Sequence, residues 1–192
     1  DLHWDQSRIG KVARHLAANM GRAVGKGDDD GGAAMDIGHR GDFRGAYAGQ
    51  IALPIKADAL RYVSTPAISV CEVRMLAETG AGSAMNPAAM YDWNAFAGVD
   101  PYSFFLGGPQ PLIEITNPAA PEGELYLFRD SFASSLAPLL CTYYRKTTLI
   151  DLRYISSEIL PDYIRPGSGA QILFLYNPKV LNQPATLRAP SN

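Results

Sequence analysis

Residues 124–151 read ELYLFRD, SFASSLAPLLCTYYRK and TTLID, and this stretch limits the fold more than any other. An apolar run from Leu125 to Phe128 stops at Asp130 and Ser131. Beyond it, Phe132, Leu136, Leu139, Leu140 and Tyr143 follow the helical period, and the β-branched residues at 147–150 signal the next strand. A strand, a sharp corner, a helix and a second strand make the crossover unit of a parallel sheet. Ser131 stands at that corner, outside the carboxyl end of its strand, where open α/β sheets hold their ligand crevice. Two roles fit a serine there. Its hydroxyl can serve as a nucleophile, with the unpaired amides of the first helical turn steadying a developing anion. Alternatively, Asp130 or Ser131 simply caps the helix by accepting a bond from those amides.

Around this unit the chain reads in order. Residues 5–20 predict a helix with apolar positions at Ile9, Val12, Ala13, Leu16 and Met20, closed by Gly21. The Gly- and Asp-rich segment 22–42 reads as a long loop; Asp28, Asp29 and Asp30 within it lack the spaced ligands and terminal Glu of a calcium loop. Residues 46–53, 59–63 and 67–75 predict strands of an antiparallel excursion, interrupted by Pro54 and Pro66. Residues 76–100 read as irregular, with Tyr91, Trp93 and Phe96 either in the core or on a lid. Two short apolar runs, 103–108 and 111–116, flank a turn at Gly107, Gly108, Pro109 and Gln110. After the central unit, residues 158–164 predict a short helix and 171–177 a buried strand, which makes the carboxy-terminal half βαβαβ. We therefore expect one domain over residues 1–181 and an exposed tail at 182–192.

Composition narrows the function classes. At 192 residues, 47% of them hydrophobic, the chain can bury a core without staples. With 17 basic and 19 acidic residues and no basic block, nothing favours a nucleic-acid partner. No apolar run approaches the roughly 20 residues that span a bilayer, so any export signal or anchor is expected outside this chain. Cys71 and Cys141 suit two buried thiols or one long-range disulfide, and their spacing suggests no metal motif.

A serine nucleophile needs a base, and the base needs an orienting group. Of the three histidines, His15 falls within the first helix and His39 in a loop, while His3 follows Asp1 by two residues. In a D-x-H arrangement the carboxylate can reach the imidazole and fix its tautomer. A structural histidine bonded to a carbonyl fits the same spacing.

Five blocks in order add a resemblance. DLHW at 1–4, FLGG at 105–108 followed by PLIEI, FRDSFASSLAPLL at 128–140, IDLRYI at 150–155 and ILFLYN at 172–177 resemble the successive blocks of the bacterial DHHW proteins. Those proteins are similar to the SGNH-like domains of the alginate O-acetylation proteins. The resemblance implies an SGNH-hydrolase-like α/β/α fold in three layers, with a mostly parallel sheet and an antiparallel excursion. Carried over by position, Ser131 is the nucleophile, His3 the general base and Asp1 its orienting carboxylate. The Ser131 amide, Gly107 and Gly108 are candidates for an oxyanion hole, and Tyr176 and Asn177 for substrate binding.

Three features depart from the family pattern: Leu2 stands where a histidine is usual, Ser134 where an asparagine often follows, and the segment that normally precedes the D-x-H motif is not in this sequence. The expectation is therefore the carboxy-terminal part of a longer protein, with an apolar sheet edge or face open to self-association. The implied function is an extracytoplasmic carbohydrate O-acetylesterase or O-acetyltransferase that works through an acyl-serine. It needs no metal or organic cofactor, acts on a carbohydrate or acylated substrate, and has a membrane-bound O-acyltransferase as candidate partner. The rival is a non-catalytic polysaccharide-binding domain on the same fold.

Overall fold

The computed structural model describes residues 2–25, 36–45, 48, 54, 56–80, 83–183 and 186–187. Its frame is a six-stranded mixed sheet. The strands are β3 (Glu72–Leu76), β4 (Asn86–Ala88), β5 (Leu112–Thr116), β6 (Glu124–Arg129), β7 (Lys146–Ile150) and β8 (Gln171–Leu175), in the order β4-β3-β5-β7-β6-β8. β6 is parallel to β7 on one side and to β8 on the other. The remaining pairs, β3 with β4, β3 with β5 and β5 with β7, are antiparallel. The carboxy-terminal half is thus parallel as its pattern predicts, and the sheet as a whole is mixed rather than mostly parallel. The reason is local: β5 enters from the turn at 107–110, beside the carboxyl end of β7, and runs back against it.

Period-two alternation sorts the side chains onto two faces. Val73, Ile113, Ile115, Leu125, Leu127, Leu149, Leu173 and Leu175 share one face. Over them lie two helices, α1 (Gly10–Asn19) through Ile9 and Ala13, and α4 (Ala133–Leu140) through Ala133, Leu136, Ala137 and Leu140. α1 ends in a turn where the amide of Arg22 donates to the Ala17 carbonyl at 2.9 Å, with Gly21 at φ 75°. On the opposite face Leu76, Leu112, Tyr126 and Ile150 are covered by Ile155, Ile159, Leu160 and Tyr163, in irregular chain with a 3-10 turn at Leu160–Asp162. β8 differs from the buried strand its composition suggests, because it is an edge. Ile172 and Phe174 on its second face are 52% and 64% exposed, and Phe174 stacks on Phe128 at 4.7 Å.

Outside the main sheet, β1 (Asp36–Phe43) and β2 (Asp58–Ser64) form an antiparallel ribbon. β1 overturns the loop expected for its Gly-rich sequence: pairing with β2 overrides weak local propensity. Gly38 permits it, since a Cβ there would sit 2.1 Å from the Tyr62 ring. The strand expected at 67–75 splits into the short helix α2 (Pro66–Ser69) and β3, because Thr65 caps and Pro66 fits the first helical position. The run 103–108 is no strand; a 3-10 turn at Pro101–Phe104, capped by Asp100, leads to an isolated bridge between Phe105 and Tyr91. Tyr91 and Phe96 pack in an aromatic cluster with Phe43, Leu60, Tyr62 and Phe104, joined at its edge by Trp93 on the short helix α3 (Trp93–Phe96). Apart from Ala48, whose amide donates to the Gly45 carbonyl at 2.8 Å in a turn, the expected strand at 46–53 lies outside the described residues, as do the aspartates 28–30 and most of the tail. Among those described, no helix is long and apolar enough to cross a membrane.

The central strand β6 sets the packing. Leu127→Ala, at a fully buried position, is expected to cost about 2 to 5 kcal/mol in denaturant unfolding. Phe174→Ala at the exposed edge is expected to cost under about 1 kcal/mol. Equal losses from the two substitutions would contradict this arrangement.

Candidate active site

The parallel strands β7, β6 and β8 end side by side, and the chain at their carboxyl ends is polar: Asp151 after β7, Asp130 and Ser131 after β6, Tyr176 and Asn177 after β8. Asp130, fully buried, ties two of these ends together. Its Oδ1 accepts the Phe132 amide at 2.9 Å and its Oδ2 the Asn177 amide at 2.6 Å. Asp130 thus fills the capping role at the corner, and none of the first-turn amides donates to the Ser131 hydroxyl. Ser131 Oγ lies 3.0 Å from His3 Nε2, across 128 positions of sequence. The amides of Phe132, Ala133 and Ser134 are occupied within the turn, whereas the Ser131 amide makes no hydrogen bond among the described residues.

His3 is held from several sides. Its ring stacks on Tyr102 at 3.8 Å and 10°, and tilts against Phe132 at 5.3 Å. Trp4 meets Phe132 edge-on at 5.8 Å. Asp5 caps the following 3-10 turn (Gln6–Arg8) through the Ser7 amide and pairs with Arg61 at 3.2 Å. Gln6 is buried and fastens the segment to two elements at once, donating from Nε2 to the Ser135 carbonyl of α4 at 2.8 Å and accepting the Val63 amide of β2 at 2.8 Å. Burial pushes the His3 pKa below the ordinary 6.5 because it strips water from the imidazolium; Asp100 and Asp130 pull the other way without reversing the shift. Burial therefore favours the neutral ring, the form that can accept a proton from a hydroxyl.

Asp1 lies outside the described residues. The turn at Gly107 and Gly108 leads into β5 at this same sheet edge, with φ of 64° and 80°. A side chain on Gly108 would come within 2.4 Å of Ser103 Oγ, so conformation and packing both require glycine there. Among the described residues no hydrogen bond joins this turn to Ser131 or His3. Tyr176 is half-buried, and burial, with Asp151 and Asp130 nearby, pushes its hydroxyl up to about 12. Asn177 caps the short helix α5 (Pro178–Leu181) with Oδ1, at 2.7 Å from the Lys179 amide, while its own amide holds Asp130. Its observed contacts are structural.

Tyr102 and Gln6 escaped sequence reasoning. Asp100-Pro101 marks a turn start, but nothing local says that the ring after it meets a histidine nearly 100 residues earlier. Beside His3, on the side of the ribbon, opens a cleft of about 150 Å³ lined by Trp4, Asp5, Phe43, Asp58, Arg61 and Tyr102 among others. Among the described residues no three His, Cys, Asp or Glu side chains converge as a metal site.

No family model matches the sequence, and no curated protein matches it. Solved structures do. The chain is similar in fold to Bacillus cereus PatB1, with TM-score 0.69 and 19% identity over 94% of this chain and 62% of that one. A structure of Bacillus cereus PatB1 with a sulfonyl adduct gives TM-score 0.66 and 19% identity over 94% and 60%. A DHHW family protein from Eubacterium siraeum gives 0.64 and 17% over 92% and 57%. The chain thus spans 57 to 62% of the length of these matched structures, and at such identities the likeness is one of fold.

If His3 activates Ser131, a fluorophosphonate probe labels Ser131, and the labelling rate falls as pH drops through a midpoint below 6.5. His3 binds a proton below that midpoint and can no longer accept one from the hydroxyl. Labelling that speeds up as pH falls below 6.5, or that persists in Ser131→Ala, would contradict the pairing.

Proposed function

We infer that this chain is a serine-dependent acyl-transfer enzyme of the SGNH-like type, a carbohydrate O-acetylesterase or O-acetyltransferase. The observation that carries the reading is the 3.0 Å approach of His3 Nε2 to Ser131 Oγ at the carboxyl edge of parallel strands. A cap would need only its own helix amides, and Asp130 already accepts from that turn.

In the proposed cycle His3 Nε2 takes the Ser131 proton as Oγ attacks the acyl carbonyl. The Ser131 amide, at the positive start of α4, donates to the oxyanion, with the Gly107 and Gly108 turn as a further candidate. His3 returns the proton to the departing alcohol and leaves an acyl-serine. Water or a sugar hydroxyl, deprotonated by His3, then attacks that ester and frees Ser131. Asp1 takes the role of orienting the imidazole and stabilising its charged form. Whether the product is acetate or an acetylated sugar depends on which nucleophile reaches the acyl-serine.

Support for a carbohydrate comes from the cleft beside His3. The partly exposed Trp4 ring can face a sugar C–H surface, while Asp5, Asp58 and Arg61 can bond hydroxyls. Support for a nucleophilic hydroxyl comes from the matched PatB1 structure with its sulfonyl adduct, because sulfonyl electrophiles react with activated hydroxyls. The resemblance to the alginate O-acetylation proteins extends the reading to an exported or cell-surface polysaccharide. It puts the work outside the cytoplasm, with a membrane-bound O-acyltransferase as the partner that supplies acyl groups.

Rapid mixing with a chromogenic acetate ester tests the reading. The expected trace is a burst approaching one equivalent of chromophore, then slower turnover that an acceptor oligosaccharide accelerates if transfer is the reaction. Ser131→Ala and His3→Ala are each expected to lower the rate by about 10³-fold or more. No burst from the folded protein, together with retained polysaccharide binding, would establish the non-catalytic rival.

A further inference from the structure

The two cysteines sit far from Ser131 along α4 yet close to each other. Cys71 lies between α2 and β3, and Cys141 directly follows α4, about 15 Å along the helix from Ser131 at 1.5 Å per residue. Their sulfurs are 3.7 Å apart. Both are free thiols; Cys141 is fully buried and Cys71 only partly. Each sulfur also lies near a backbone carbonyl that its thiol proton can use in place of the other sulfur, Cys71 Sγ at 3.3 Å from the Ala67 oxygen and Cys141 Sγ at 3.2 Å from the Pro138 oxygen. No third ligand joins them in a metal cluster among the described residues. A disulfide needs its sulfurs at about 2.0 Å, so the two must approach further to bond.

We propose that Cys71 and Cys141 are a built-in dithiol that closes to an intramolecular disulfide, cross-linking the α2–β3 corner to the far end of α4. The two thiols have distinct parts in the closure. Cys71 is reachable from solvent, and its thiolate is favoured by the hydrogen bond it receives from Cys141, whose own pKa is pushed well up by that bond and by burial. The Cys71 thiolate attacks one sulfur of a small disulfide such as oxidised glutathione, forming a mixed disulfide and expelling one glutathione thiolate. Cys141 gives its proton to that thiolate and attacks Cys71 Sγ, expelling the second glutathione, which takes up the proton lost by Cys71. Two protein thiols and one oxidised glutathione become one protein disulfide and two reduced glutathiones. The link closes a loop across 70 positions of sequence, long enough to restrict the unfolded chain strongly.

The test incubates the folded protein with oxidised glutathione, denatures it in the presence of an alkylating reagent, and weighs it. The expected species is lighter than the reduced protein by two hydrogen atoms, takes up no alkyl group, and yields a peptide joining residues 71 and 141. Its Tm is expected to rise by roughly 5 to 15 °C, a gain that reductant reverses. Cys141→Ala is expected to hold one glutathione on Cys71, and Cys71→Ser to hold none. Two alkylatable thiols after oxidation, or a wild-type protein that stops at the mixed disulfide, would overturn the proposal. So would intermolecular linkage alone. The mass and peptide readouts need neither variant to fold.

Discussion

The carboxylate of Asp130 is the constraint on which the site depends. It is fully buried, and it accepts one backbone amide from the entrance to α4 and another from the exit of β8. A buried carboxylate is costly unless its oxygens are satisfied, and losing it would leave two amides without partners. Arg129 and Arg153 lie close enough to act on it electrostatically, and Asp151 holds Arg153 through bonds of 2.8 and 2.6 Å. Arg129, itself fully buried, donates from Nη1 to Ser134 Oγ at 3.0 Å. The carboxyl edge of the sheet therefore holds a cluster of buried charges, and the backbone beside Ser131 is tied through Asp130 to the exit of β8.

Against that fixed corner, the segment that carries His3 is a docked part. It enters from the other end of the chain and is held by a stack on Tyr102, an edge contact of Trp4 with Phe132, and the two bonds of Gln6 to α4 and β2. None of these is strong alone. Together they position the ring, and the burial they impose favours its neutral form. Packing and proton affinity have one cause here: the same ring faces that anchor His3 also exclude the water that would solvate its charge.

How legible this was varies with range. The unit β6–α4–β7 and the strands β5 and β8 follow from local periodicity and turn residues, which are properties of a few adjacent positions. β1 and α2 did not, because a Gly-rich strand exists only by pairing with β2, and Thr65-Pro66 starts a helix inside a stretch of strand formers. The mixed direction of the sheet also depends on where β5 enters, which no run of residues encodes. In the site, Ser131 could be read from its corner. His3 required a family resemblance, since D-x-H spacing alone suits a structural histidine equally well. Tyr102 and Gln6 carried no signal, for their roles arise from contacts about 100 or more positions away.

The separation of His3 from Ser131 by 128 positions has a consequence for how the molecule comes into being. Closing so large a span costs entropy that only the assembled sheet and helices offset. During synthesis the imidazole emerges 128 positions ahead of its hydroxyl and meets it only when the strand and helix that flank Ser131 have followed. A nascent or partly unfolded chain then carries every group of the site and none of its geometry. The 3.0 Å contact of His3 with Ser131 is thus a property of the assembled fold and of no local segment.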